Sequence, residues 1–490
     1  MTTQYGFFID SSRCTGCKTC ELACKDFKDL GPEVSFRRIY EYAGGDWQED
    51  NGVWHQNVFA YYLSISCNHC DDPACTKVCP SGAMHKREDG FVVVDEDVCI
   101  GCRYCHMACP YGAPQYNAEK GHMTKCDGCY SRVAEGKQPI CVESCPLRAL
   151  EFGPIEELRQ KHGTLAAVAP LPRAHFTKPN IVINLTATAA RPAIPLVIWL
   201  IRRKCKMGNG WHEWPLVIFT VLGQCVVGAL IVSGIGWFAA KNDADRQRIV
   251  RGMFFLWLLM GIGFIASVMH LGSPLRAFNS LNRIGDSGLS NEIAAGSIFF
   301  AVGGLWWLVA VIGKMPQALG KLWLLVSMAL GVIFVWMMTC VYQIDTVPTW
   351  HNGYTTLAFF LTVLLSGPIL AAAILRAARV TFNTTPFAII SVLALIACAG
   401  VIVLQGLSLA SIHSSVQQAS ALVPDYASLQ VWRVVLLCAG LGCWLCPLIR
   451  RREPHVAGLV LGLILILGGE MIGRVLFYGL HMTVGMAIAG

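Results

Sequence analysis

Sixteen cysteines between Cys14 and Cys145 fall into four groups of four. They are Cys14, Cys17, Cys20, Cys24; Cys67, Cys70, Cys75, Cys79; Cys99, Cys102, Cys105, Cys109; and Cys126, Cys129, Cys141, Cys145. The third group reads C-x2-C-x2-C-x3-C-P, the ligand run of bacterial [4Fe–4S] ferredoxins. The second and fourth keep C-x2-C in front and C-x3-C-P behind with longer middle spacers, and the first has Lys25 in place of proline. Four thiolates hold one cubane, so the spacing predicts four clusters. Zinc is the rival for 126–145 taken alone, but three companion groups of ferredoxin character count against it. A secreted disulfide scaffold would not repeat these spacings four times.

The elements that must position these groups are short. CPSGA (79–83), CPYGA (109–113) and CPLRA (145–149) form an internal repeat, Phe91–Val94 reads as a strand entering the third group, and LEFG (150–153) ends another unit in the same way. In two-cluster ferredoxins the fourth cysteine of each run ligates the other cluster. Groups two and three are close enough to pair as an inner unit, inserted into an outer unit made of groups one and four. That nesting predicts Cys14, Cys17, Cys20 with Cys145; Cys24 with Cys126, Cys129, Cys141; Cys67, Cys70, Cys75 with Cys109; and Cys79 with Cys99, Cys102, Cys105. The expected fold is an α+β ferredoxin-like domain of nested two-cluster repeats over 1–183. Residues 154–192 read as a covering tail or linker, and 184–212 as a junction.

The remainder, 213–490, is different in kind. Of 490 residues 54% are hydrophobic and only 14% charged, and the apolar residues concentrate after about residue 213. Eight stretches reach the ~20 residues needed to cross a bilayer, predicting an all-α membrane domain with spans near 214–240, 250–271, 292–313, 322–344, 354–375, 386–412, 429–449 and 455–480. The net charge of +7 does not point to nucleic acid, because the basic residues flank apolar segments. Loops after the odd spans hold Lys241, Arg246, Arg248, Arg251, Lys314, Lys321, Arg376, Arg379 and Arg450 to Arg452; the other end has only Arg276 and Arg283. The positive-inside rule then places the odd loops in the cytoplasm, and the cluster domain and both ends of the membrane domain outside, on the periplasmic face of a bacterial inner membrane. Arg202, Arg203, Lys204 and Lys206, just before span one, oppose that orientation. The first residues have no secretory signal, and Arg37-Arg38 lacks the apolar run that a twin-arginine signal needs.

Ionisable residues within spans are functional candidates by default. His270 ends span two and Glu292 begins span three, both at the outer end, where together they could accept the protons of an oxidised quinol. The alternative is an interfacial pair that only ties down loop 272–291. Glu470 and Arg474, spaced i,i+4, are expected to neutralise each other.

Residues 1–183, through MTTQYGFFIDSSRCTGCKTCELACKD, CNHCDDPACTKVCPSGAMHKREDGFVVVDEDVCIGCRYCHMACPYGAPQYN and CDGCYSRVAEGKQPICVESCPLRAL, resemble the iron–sulfur subunit of anaerobic dimethyl sulfoxide reductases. Residues 207–490 resemble the membrane anchor of the same enzymes through HLGSP, RAFNSLNR, LSNEIA, FVWMM, IDTVPTW and IHSSVQQA. The resemblance implies a separate molybdenum-containing catalytic subunit that reduces S- and N-oxides, no molybdenum cofactor on this chain, and menaquinol as electron donor at His270 and Glu292. It also implies that the Cys99/102/105/79 cluster lies nearest the quinol and the Cys14/17/20/145 cluster nearest the catalytic subunit. Reverse flow from a formate- or thiosulfate-type dehydrogenase to quinone, or a non-catalytic carrier and anchor, are the competing functions. The departure from the family is that its two chains are here one. RPAIPLVIWLIRRKCK (191–206) replaces a polar tail and runs into Met207, which reads as a frame slip that removed a stop codon.

Overall fold

The computed structural model describes residues 3–185, 210–414 and 418–485, so most of the 184–212 junction, with its basic cluster, lies outside the described residues. The cluster domain runs through β1 (Tyr5–Asp10), α1 (Thr19–Phe27), β2 (Arg38–Gly44), β3 (Trp47–Asp50), β4 (Val53–Gln56), β5 (Phe59–Ile65), α2 (Ala74–Val78), β6 (Met84–Lys86) and β7 (Val92–Val94). It continues with α3 (Tyr104–Ala108), β8 (Gln115–Asn117), β9 (His122–Thr124), α4 (Tyr130–Ala134), α5 (Ile140–Glu143), β10 (Leu150–Pro154), α6 (Ile155–His162) and β11 (Ile181–Asn184).

The apolar strand β1 is the closure of the domain. It pairs antiparallel with β10, Phe7 facing Phe152, and parallel with β11, Phe8 facing Val182. Group one follows β1 and group four precedes β10, so this pairing draws the first and last cysteine groups together around the inner hairpins β6–β7 and β8–β9. The α+β nested arrangement expected from the repeats is observed. Residues 154–185, however, are more than a tail. Ile155, Leu158 and Val182 are buried against Phe8, and β11 completes the central sheet. Proline-rich composition concealed this, because a four-residue parallel edge strand leaves little periodicity to detect.

The membrane domain comprises α7 (Trp214–Ala239), α8 (Asp243–Gly252), α9 (Phe254–Met269), α10 (Gly288–Val311), α11 (Gln317–Val341), α12 (Gly353–Ala377), α13 (Thr385–Ser411), α14 (Tyr426–Ile449) and α15 (Val456–Gly479). With α8 and α9 forming one span, these give eight helical segments long and apolar enough to cross a bilayer among the described residues. The centre is the α7–α12 pair. Gly228 and Gly367 meet backbone to backbone, and a Cβ on Gly367 would lie 2.4 Å from the Gly228 Cα. Small residues permit such approach where lipid offers no hydrophobic drive for helix association.

Glu470 and Arg474 do not pair with each other. Glu470 instead takes Arg433 of α14 at 3.2 Å and a hydrogen bond from Thr362, while Arg474 donates to Gln224 at 2.9 Å and lies over the Phe359 ring. The i,i+4 spacing allows their contact but cannot compete with a partner that a neighbouring helix delivers at bilayer depth. Glu470→Ala is therefore expected to destabilise the detergent-solubilised protein by about 3–5 kcal/mol, because it leaves Arg433 buried and unpaired. The double change Arg433→Met, Glu470→Leu should recover most of the loss in thermal unfolding.

The cluster domain stands on the end of the helical bundle that carries loop 272–287 and the C-terminal ends of α11 and α15. Side chains of the bundle satisfy backbone carbonyls of the cluster loops: Asn279 to Val98 (3.1 Å), Ser287 to Val78 (2.9 Å), Ser290 to Pro80 (3.1 Å), Thr346 to Ala108 (2.7 Å) and His481 to Met107 (2.9 Å). Arg276 and Arg283, the two arginines that interrupt the charge alternation, donate to Glu96 and Thr76 carbonyls. They are docking residues. The lysine- and arginine-rich loops lie at the opposite end, where Arg376 pairs with Glu453.

Candidate functional site

Each cysteine group occupies a loop that enters a short helix, and backbone N–H groups turn toward sulfur. Gly101 donates to Cys99 Sγ, Gly128 to Cys126, Met84 to Cys79 and Ala149 to Cys145, all at 3.4 Å. Such bonds stabilise thiolate and help set a cluster's potential.

The thiols associate across groups. Cys14 lies within electrostatic reach of Cys145 and Cys17, and Cys24 of Cys141 and Cys129. Cys75 neighbours Cys109, Cys67 and Cys70, whereas Cys102 and Cys105 neighbour Cys79 and Cys99. The last cysteine of every group thus stands among members of another group. Cys20 and Cys141 are also close, as are Cys126 and Cys67, and Cys105 and Cys75, so the four assemblies form a continuous series.

The donor sets fit cubanes better than single ions. All sixteen cysteines are free, and among the described residues no three His, Cys, Asp or Glu side chains converge closely enough for one metal ion. Zinc would require its sulfurs about 2.3 Å from a common centre, whereas a cubane spreads four thiolates over four irons. Burial pushes the Cys24 thiol up to about 12, so ionising it demands a cationic partner, which iron would provide.

At the membrane-facing end, His270 links both domains. Its Nε2 is 3.3 Å from the Cys102 carbonyl oxygen and its Nδ1 is 3.2 Å from Glu213 Oε2. Glu292, 3% exposed, has its Oε1 buried without a hydrogen-bond partner among the described residues. It lies within electrostatic reach of Tyr104, Tyr342 and Tyr478, and the last two share a hydroxyl–hydroxyl bond of 2.6 Å. His270 and Glu292 share this end of the bundle, but among the described residues no hydrogen bond joins them. Glu213 is the residue missed from sequence; an acid at the start of an otherwise apolar span, in WHEWPL, was the available signal.

The interface is close-packed beside the third group. Gly101 has φ +70°, and a Cβ there would lie 2.4 Å from the Gly121 oxygen; a Cβ on Gly272 would lie 2.3 Å from the same atom. His69 adopts the corresponding left-handed turn in group two. Gly272→Ala is expected to lift the Cys99–Cys105 loop from the bundle and slow electron transfer through the chain by about tenfold or more, since ångström displacements of reacting centres have such effects. Iron content should stay unchanged.

A family model described as DMSO reductase anchor subunit (DmsC) matches residues 207–480, and one described as 4Fe-4S dicluster domain matches residues 58–155. Anaerobic dimethyl sulfoxide reductase chain YnfH of Escherichia coli K12 is 99% identical over 284 residues, covering 58% of this chain and 100% of the relative. Probable anaerobic dimethyl sulfoxide reductase chain YnfG of the same strain is 97% identical over 189 residues, 39% of this chain and 92% of the relative. A third relative, an anaerobic dimethyl sulfoxide reductase subunit from Haemophilus influenzae, is 45% identical over 290 residues, again 58% of this chain and 100% of the relative.

Proposed function

The chain belongs to the DMSO reductase anchor subunit family, and from that premise we propose that it oxidises menaquinol and passes the electrons through four [4Fe–4S] clusters to a separate molybdenum subunit. That subunit reduces dimethyl sulfoxide and other S- and N-oxides in anaerobic respiration. The carrying observation is His270, which touches the Cys102 carbonyl on one side and Glu213 on the other.

The ligand sets are Cys14, Cys17, Cys20, Cys145 (cluster 1); Cys24, Cys126, Cys129, Cys141 (cluster 2); Cys67, Cys70, Cys75, Cys109 (cluster 3); and Cys79, Cys99, Cys102, Cys105 (cluster 4). When bound, the clusters supply one-electron carriage without proton uptake. Protein side chains handle the protons. To bond the Cys102 carbonyl, His270 Nε2 must carry its hydrogen, which leaves Nδ1 as the basic nitrogen. Glu213 stands beside Nδ1 to share the proton it receives. Glu292 is the second acceptor, so two bases serve the two protons of a quinol. Cys17 is the exposed thiol of the sixteen, which suits cluster 1 to face the catalytic subunit.

The basic loops opposite the cluster domain support a periplasmic position for the clusters, with the C-terminal end of the chain outward. Proton release and S-oxide reduction would then share one side. The test is purification with the large subunit: molybdenum, about sixteen irons per chain and menaquinol-dependent dimethyl sulfoxide reduction are expected. Their absence would refute the function, and vesicles that build a membrane potential during turnover would refute the one-sided arrangement. Residues 1–183, 184–212 and 213–490 are proposed to form one continuous product despite the frame-slip character of the junction. A single 53.5 kDa species in intact-mass measurement supports this, and two products would end it.

A further inference from the structure

Arg37, the first of an arginine pair, is 2% exposed. Its Nη1 donates to the Ser64 carbonyl at 2.7 Å and to Ser64 Oγ at 3.1 Å, and Nη2 donates to Ser66 Oγ at 2.9 Å. The guanidinium packs 4.7 Å from the Phe7 ring centroid. Ser64 Oγ in turn lies 3.3 Å from Cys20 Sγ. The charge reaches Cys20 in one ligand set and Cys24, Cys126 and Cys141 in the next. Lys125, 3% exposed, repeats the pattern one step along, donating to the Cys126 carbonyl at 2.7 Å and reaching Cys126, Cys67 and Cys75. Among the described residues neither cation has a carboxylate within ion-pair distance. Buried charges normally require partners, and the nearest groups able to bear negative charge are cluster thiolates.

We propose that Arg37 and Lys125 are potential-setting residues, Arg37 placed between clusters 1 and 2 and Lys125 between clusters 2 and 3. The inference rests on the four-cluster ligand assignment above. Reducing a cubane adds one electron and no proton, so the reduced form carries one more negative charge. A fixed cation in the poorly screened interior favours that form and raises the midpoint potential. Arg37 also acts through Ser64, whose hydroxyl can donate to the Cys20 thiolate. Cluster 2 feels both cations. The guanidinium does not deprotonate, so its contribution persists at any working pH.

The test is an electron paramagnetic resonance redox titration of the complete membrane complex, with signals assigned through single-cysteine variants. Arg37→Met is expected to lower the potentials of clusters 1 and 2 by at least about 59 mV, a tenfold change in a one-electron equilibrium, leaving clusters 3 and 4 in place. Arg37→Lys should retain most of the original potential. Lys125→Met should lower clusters 2 and 3, and Ser64→Ala cluster 1 alone. Four signals at unaltered potentials in Arg37→Met would overturn the proposal. If that variant loses clusters, unshifted potentials in both Ser64→Ala and Lys125→Met overturn it equally. Fewer than four cubanes in the unsubstituted protein would instead overturn the ligand assignment.

Discussion

Cys145→Ser is expected to remove the same cubane signal as Cys14→Ser, leaving the signal that depends on Cys126. Cys145 is adjacent to Cys126, Cys129 and Cys141 in sequence, so a ligand set drawn from one group would predict the opposite. In the fold, β1–β10 pairing carries Cys145 to Cys14. The Ala149 N–H holds its sulfur in place from behind. Changes to outer-shell partners of a metal site already reduce activity 10–100-fold, so loss of a ligand should lower menaquinol-dependent S-oxide reduction by about 100-fold or more. The double variant Cys14→Ser, Cys145→Ser should be no worse than either single one, because both act on one cluster. Resonance spectra and iron counts on the same preparations check all three statements. A Cys145→Ser protein that loses the Cys126-dependent signal would refute the crossed assignment.

His270→Ala should reduce menaquinol oxidation by about 10²–10⁴-fold, the range associated with loss of a positioned proton acceptor. The clusters should remain reducible by a soluble dye, since among the described residues the ring bonds a backbone carbonyl of the cluster loop and no thiol. Glu292→Gln should give a comparable fall in quinol oxidation with normal iron content. Its carboxylate has a buried oxygen without a hydrogen-bond partner among the described residues, so the amide fills the same space while losing the base. Glu213→Gln should act through His270, with a smaller fall and an altered pH–rate profile. Full quinol oxidation in His270→Ala would refute the role of His270 as proton acceptor and favour a carrier-and-anchor role for the residues around it.

Local order explains how far the amino-acid sequence could be read. Cysteine spacing, the CPSGA, CPYGA and CPLRA repeat and the short strands at Val92–Val94 and Leu150–Pro154 each depend on neighbours within a few residues, and the α+β nested domain followed from them. The eight helices were visible because a bilayer imposes length and apolarity on every span. Residues 154–192 read as a covering tail or linker because β11 owes its place to β1, about 170 residues earlier, and has no pattern of its own. Arg276 and Arg283 stand in the sequence only as the two basic residues of the outer loops. Packing made them donors to carbonyls of the cluster loops.

Sequence alone was enough to set the chemistry available to this protein: sixteen thiols in four runs, a membrane domain of eight spans, and His270 and Glu292 at one end of it. Each is a matter of residue type and short-range spacing. Tertiary structure decided which of these groups meet. It brought Glu213 to His270, gave Glu470 to Arg433 in preference to Arg474, and buried Arg37 between two cysteine assemblies. Those choices depend on how helices and sheets pack across tens to hundreds of residues, where the strongest available partner wins over the nearest in sequence.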